Sequence, residues 1–309
     1  MAAGGGTKAI VAALVANAGI AVAKFVGFAI TGSSSMLAEG VHSVADTSNQ
    51  ALLLVGQKTA ARKPTESHPF GYGRDRYFYS FVVALLLFTL GSAFALYEGI
   101  HKLEAPEGLT SPLVAVGILV VAILLESWSF HTAIQESKKI KGDATWWQFI
   151  RNAKTPELPV VLLEDLGALV GLVLALGGVG MTVLTGDPIW DAIGTLCIGV
   201  LLGVIAITLI IETKSLLIGE GANPDVLAVI VDELSTATVD HVIHIRTQYI
   251  GPDELLVAAK IALLPNLTVA EVAQAINDAE ARVRAKVPEA RLMYLEPDLD
   301  HAAKAKAKA

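Results

Sequence analysis

Glu39, His42 and Asp46 stand in the stretch "EGVHSVADTSNQ", which follows one long apolar run and precedes another, "ALLLVG". At about 100° of rotation per residue the three fall within an arc of about 60° on a helix, flanked by Asn49 and Gln50. A His and an Asp four residues apart lie one turn above each other and can share one cation. Ionisable groups at membrane depth cost roughly 2.5–3.5 kcal/mol each on insertion scales. Three on one stripe therefore point to binding of a metal or of protons rather than to packing. A second set lies in "PELPVVLLEDLGALVGLVLALGG", which is apolar except for Glu157, Glu164 and Asp165. Glu164 and Asp165 are about 100° apart on a helix, so at least one faces a bundle interior. Unpaired carboxylates there repel each other and need a proton or a cation. One His with several carboxylates makes a borderline-to-hard divalent-metal set.

These residues have to be positioned by elements that tolerate lipid. The chain has 309 residues, 53% hydrophobic and only 17% charged, with a mean hydropathy of +0.58. Soluble domains carry about 25% charged residues, so the excess apolarity points to the membrane. Six segments are long enough to cross about 30 Å of hydrocarbon: Lys8–Thr31, Ser33–Thr59, Tyr77–Leu103, Pro112–Gln135, Leu158–Thr185 and Pro188–Ile211. The start, "MAAGGGTK", lacks the features of a cleavable signal, so the first segment reads as a retained span.

Lys58, Arg62, Lys63, Arg74 and Arg76 surround the second-to-third loop, and Lys138, Lys139, Lys141, Arg151 and Lys154 the fourth-to-fifth. The positive-inside rule puts both loops and both termini in the cytoplasm. Trp146 and Trp147 in "TWWQFI" suit the headgroup boundary. The net charge of −7 argues against a nucleic-acid partner. Cys197, the only cysteine, excludes an internal disulfide and a thiolate cluster.

After Ile211 the composition changes. "NPDVLAVIVDELST" has helical periodicity behind a cap region at Asn223, and "HVIHIRTQYI" and "ELLVAAKIALL" flank the turn signal "GPD" as a hairpin. Thr268 and Glu271 stand in capping-box spacing ahead of another helix, and "ARLMYLEPD" reads as a last strand. Helix, strand, strand, helix, strand is the order of a small α+β domain. The expected division is a membrane domain over 1–212, a cytoplasmic domain over 213–300 and a disordered tail over 301–309. Outside the two acidic stretches, Asn17 and Lys24 read as cavity or snorkelling residues and Glu126 as lining for a polar path. Glu98 and His101 belong to an interface, and His241, His244 and His301 to the surface.

Three stretches together, "GSSSMLAEGVHSVADTSNQALLL", "SHPFGYGRDRYFYS" and "VVLLEDLGALVGLVLA", resemble the cation diffusion facilitator family of divalent-metal/proton antiporters, nearest its zinc transporter 9 branch. The resemblance runs from Lys8 to Asp298. It implies six transmembrane helices, a ferredoxin-like cytoplasmic domain and a homodimer. It also implies a transport site made of two positions four apart on the second helix and two on the fifth. His42 and Asp46 match the second-helix pair and Asp165 matches the second position of the fifth helix, whereas the first falls on Val161, which cannot ligate. Glu164 or Glu39 would then replace the lost ligand, with Asn49 or water as further candidates. In the loop only His68 matches the second metal site of bacterial relatives, with Thr65 and Tyr72 at the other places, so no strong loop site is expected.

The expected function is export of a divalent cation, Zn²⁺ first and Mn²⁺, Fe²⁺ or Co²⁺ as alternatives, in exchange for protons. The expected place is a bacterial cell membrane, and no cofactor beyond the transported ion is expected. Metal binding requires neutral His42 and ionised carboxylates, and protons compete for the same atoms. A metal channel would use these ligands without proton coupling. An intramembrane metalloenzyme would need an open metal position and a general base, and no His-Glu-x-x-His motif is present.

Overall fold

The structure, a computed structural model, describes residues 3–31, 34–105, 112–235 and 238–298, with side chains described from 6–30, 40–105, 113–235 and 238–298. The tail at 301–309, His301 and the side chain of Glu39 lie outside the described residues. The chain divides into two compact units: Met1–Arg62 with Asp75–Lys214, and Lys63–Arg74 with Ser215–Ala309.

The first unit is helical. Its elements are α1 (Ala3–Thr31), α2 (Ser34–Ala60), α3 (Asp75–Leu86), a π-helical segment (Leu87–Ala93), α4 (Phe94–Glu104), α5 (Pro112–Lys141), α6 (Trp146–Asn152) and α7 (Glu157–Thr185). The last helix, α8 (Ile189–Ile218), begins in this unit. Five stretches among the described residues are long and apolar enough to span a membrane: Gly6–Ile30, Asp75–Glu104, Leu113–Lys141, Glu157–Thr185 and Ile189–Ile218. The second expected span, carried by α2, is 27 residues long but does not reach that apolarity. The physical reason is its own polar run, in which His42, Ser43, Asp46, Thr47, Ser48, Asn49 and Gln50 occupy two successive turns.

Helix α1 packs against α2, α5 and α7, and α5 also packs against α7. The apolar core of this unit, to which α3 and α8 also contribute, includes Ile10, Leu53, Val83, Leu158, Val161 and Leu209. Close approach of α4 and α8 needs Gly199, because a Cβ there would come within 2.9 Å of the Leu96 backbone nitrogen. Ser92, inside the π-helical segment, donates from Oγ to the Gly199 carbonyl at 2.8 Å. A π turn frees a carbonyl from the regular ladder and is tolerated where a neighbouring element supplies contacts. At the other end of α3, Arg76 and Glu157 form a buried two-pronged ion pair, with Nη2 donating to Oε2 at 2.9 Å and Nε to Oε1. Breaking such a pair would strand a charge away from water, so it ties the starts of α3 and α7 together. The short α6 opens with a capping box between Thr145 and Gln148.

The second unit contains α9 (Pro224–Leu234), β1 (Val239–Gly251), β2 (Glu254–Leu263), α10 (Val269–Lys286) and β3 (Leu292–Asp298). The sheet order is β1-β2-β3, antiparallel between β1 and β2 and parallel between β2 and β3. Along β2, Leu255, Val257, Ala259 and Ile261 are buried in strict alternation, as one face of a strand requires. They meet Ala275, Ala279 and Val283, which recur every fourth residue on α10. Thr268 and Glu271 form the expected capping box, and the hydrogen bonds Glu271 accepts from Thr268 hold its carboxyl below the usual carboxylate range. At α9, Asn223 occupies the cap position without a side-chain cap bond, and Pro224 begins the helix instead. The segment 63–74 belongs to this unit, where Gly73 lies so close to the Ile250 carbonyl that a Cβ would come within 2.7 Å of it.

Candidate metal centre

Helical spacing alone fixes the geometry of the α2 residues. His42 Nε2 lies 3.7 Å from Asp46 Oδ2, one helical turn away, and the two side chains are 27% and 30% exposed. The His42 ring stacks near-parallel over Phe94 of α4, with centroids 6.4 Å apart. One turn further, Asn49 and Gln50 are buried. Asn49 Nδ2 donates to Glu164 Oε1 at 3.3 Å, and Gln50 Oε1 accepts from Asn17 Nδ2 of α1 at 3.4 Å. The polar stripe of α2 therefore turns from a partly open surface into the bundle.

Helix α7 carries the two consecutive acids, and their roughly 100° separation sends them to different neighbours. Glu164 meets Asn49 of α2. Asp165 turns to α5, where Ser129 Oγ donates to its Oδ2 at 2.6 Å and the carboxyl group of Glu126 adjoins it. Glu126, Glu164 and Asp165 are all buried, at 1%, 6% and 0% exposure. Val161, one turn before Asp165, is fully buried in the apolar core.

One oxygen on each of these three acids, Glu126 Oε2, Glu164 Oε2 and Asp165 Oδ1, is buried without a hydrogen-bond partner among the described residues, as is Gln50 Nε2. Leaving a buried carboxylate oxygen without a partner is costly, and a bound cation or proton is one way to satisfy each such atom. Among the described residues, no three His, Cys, Asp or Glu side chains converge to hold a metal ion. The residues fall instead into a half on α2, His42 with Asp46, and a half between α5 and α7. Asp46 is near enough to both Glu126 and Glu164 to act on them electrostatically.

The loop residues form a small polar knot: Thr65 Oγ1 lies 3.2 Å from Tyr72 OH, and His68 stacks on Tyr72 with centroids 4.5 Å apart. Sequence reading gave Glu126 only a lining role and did not single out Ser129. The available signal was the buried-face position of Ser129 three residues after Glu126, which places both on one side of α5.

The family description "Cation efflux transmembrane domain" matches residues 10–218. The chain belongs to the cation efflux family. This is the cation diffusion facilitator family that its motifs resemble. The chain is 35% identical over 240 residues to the "Proton-coupled zinc antiporter SLC30A9, mitochondrial" of Xenopus laevis, a match covering 77% of this chain and 43% of that protein. It is 32% identical over 257 residues to "Metal tolerance protein C4" of Arabidopsis thaliana, covering 82% of this chain and 56% of that one. It is 23% identical over 252 residues to "Uncharacterized transporter MJ0449" of Methanocaldococcus jannaschii, covering 79% and 82%. The chain spans about half the length of the first two relatives. These relatives of the cation efflux protein are named as antiporter, tolerance protein and transporter, and the intramembrane-enzyme reading falls away.

Proposed function

We propose that this cation efflux protein is a secondary active transporter that moves Zn²⁺ out of the cytoplasm in exchange for protons. The observation that carries this reading is the set of buried acids with unpartnered oxygens on α5 and α7, within electrostatic reach of the His42–Asp46 turn. In this reading α2 is the sixth span, its polar stripe sheltered by α1, α3 and α4. The C-terminal unit is a ferredoxin-like cytoplasmic domain, covering 213–300, that pairs with its copy in a homodimer. Both termini and the two basic loops face the cytoplasm of a bacterial cell.

His42 Nε2, the Asp46 carboxylate and the Asp165 carboxylate bind the cation, and Glu164 contributes as a further ligand or as the proton carrier. Protons entering the carboxylates lower their affinity for the metal and release it, so the same atoms couple the two fluxes. Alternating access requires the α2 half to rock against the α5–α7 half, which separates and rejoins the ligands. The nitrogen of His42 favours Zn²⁺ over Mn²⁺ in an otherwise oxygen-rich set.

The test is metal-competition uptake in proteoliposomes with a pH-sensitive dye inside. Zn²⁺ uptake accompanied by opposite proton movement is the expected result. Uptake with no pH change and no response to an imposed pH gradient would assign the chain to the channel class.

A further inference from the structure

We propose that Glu126 of α5 is itself a ligand of the transported cation, taking the place that Val161 leaves vacant on α7. The proposal rests on the transport reading above and adds a third helix to the site. Glu126 sits mid-helix, 1% exposed, and its carboxyl group adjoins that of Asp165. Ser129, one turn along α5, donates to Asp165 Oδ2 at 2.6 Å and so holds that carboxylate against α5. The two oxygens left over, Glu126 Oε2 and Asp165 Oδ1, are buried and have no hydrogen-bond partner among the described residues. The charged groups that act on Glu126 are Asp165, Glu164 and Asp46, all acidic.

A structural glutamate in an apolar helix is normally satisfied by a hydrogen-bond donor or a cation. Here the charged side chains that act on it are all carboxylates, and a divalent ion supplies the positive partner they lack. Val161 supports the same assignment from the other side. It is fully buried in apolar contacts, and Glu164 is turned to Asn49 of α2, so beside Asp165 the neighbouring helix α5 is placed to supply the further ligand. Carboxylate oxygens from adjacent helices of a bundle are a recurrent way to complete such a site.

The experiment titrates the purified full chain with Zn²⁺ and with Co²⁺, the latter as a spectroscopic probe of the ligand set. Glu126→Gln keeps shape and removes the anionic ligand. It is expected to weaken Zn²⁺ binding roughly tenfold or more and to change the Co²⁺ absorption spectrum. Glu126→Cys, made with the exposed Cys197 replaced by Ala, is expected to add a sulfur-to-cobalt charge-transfer band, which only a thiolate on the metal produces. A Glu126→Gln protein that binds Zn²⁺ within about twofold of the parent, against a ligand loss of tenfold or more, overturns the inference. So does a Glu126→Cys protein that binds Co²⁺ without the band. Parallel titrations of Asp46→Ala and Asp165→Asn separate the two readings. If those variants lose binding while Glu126→Gln does not, only the role of Glu126 fails; if none of the three loses binding, the transport site itself is misplaced.

Discussion

The two halves of the candidate site use the same functional groups under opposite conditions. On α2, His42 and Asp46 face each other at 3.7 Å and are about a third exposed. Between α5 and α7, Glu126 and Asp165 are at most 1% exposed, and each has an oxygen without a partner. An exposed pair can exchange protein contacts for other partners when an ion leaves, so its free energy changes little between empty and loaded states. A buried set has no such exchange and is destabilising until an ion or proton arrives. The α5–α7 half should therefore hold most of the affinity and store most of the strain. The α2 half should govern which ion is chosen and whether transport proceeds.

That contrast is most directly broken at Asp165. Asp165→Asn is expected to weaken Zn²⁺ binding by roughly a hundredfold, at the upper end of losses around metal sites. The metal-free protein should keep or gain thermal stability, because a buried charge with an unpartnered oxygen has been removed. Calorimetric titration and thermal unfolding of the same preparation read both effects. Loss of binding together with a large loss of metal-free stability would make Asp165 a packing residue and erase the distinction between the halves.

Asp46→Ala tests the other half. Transport is expected to be abolished while the protein still inserts and dimerises, and binding should fall less than for Asp165→Asn, by roughly tenfold. The measurement is proteoliposome flux beside calorimetry and size analysis in detergent. Transport at the parental rate would remove α2 from the site. Glu164→Gln comes next in size. One of its oxygens already accepts from Asn49 at 3.3 Å, so the amide can keep part of that contact. Zn²⁺ binding is expected to fall by only about threefold, well short of the tenfold associated with metal ligation, while the protons moved per metal ion decrease. An unchanged proton count with unchanged affinity would leave Glu164 as a helix–helix contact.

The legible parts of this molecule are those in which spacing carries the information. His42 and Asp46, four apart, define a face of α2 with no knowledge of its neighbours. Thr268 and Glu271, three apart, define the start of α10, and both pairs are found in contact. On its own helix Glu126 has only Ser129, three residues on, and no second ionisable group in helical spacing to mark it. Its significance comes from Asp165, 39 positions away and brought alongside by α5–α7 packing. The polarity that made α2 conspicuous also lowered its hydropathy below that of the other spans, so one property both revealed the site and obscured the element carrying it. The place of 63–74 beside the β1–β2 turn rests on a backbone approach at Gly73 that leaves no periodic signal.

The effect at His42 concerns choice rather than strength. His42 offers a nitrogen donor on α2, set against Asp46 and stacked on Phe94. Replacing it by Asp exchanges a borderline donor for a hard one and adds a negative charge beside Asp46. The other members of the binding set, Asp46, Asp165 and the acids beside it, keep their chemistry, so binding of some divalent ion should survive. The ratio of Zn²⁺ to Mn²⁺ uptake is expected to fall by roughly tenfold, about 1.4 kcal/mol of discrimination, through weaker Zn²⁺ and firmer Mn²⁺ binding. Competition uptake in proteoliposomes measures this ratio directly, and Asp165→Glu serves as the matched change in the buried half. Since that substitution retains an oxygen donor, it should alter affinity with little change in preference. A His42→Asp protein with the parental ratio would show that His42 does not touch the ion. If Asp165→Glu moved the ratio instead, selection would reside in the buried half and the assignment of roles to the two halves would have to be reversed.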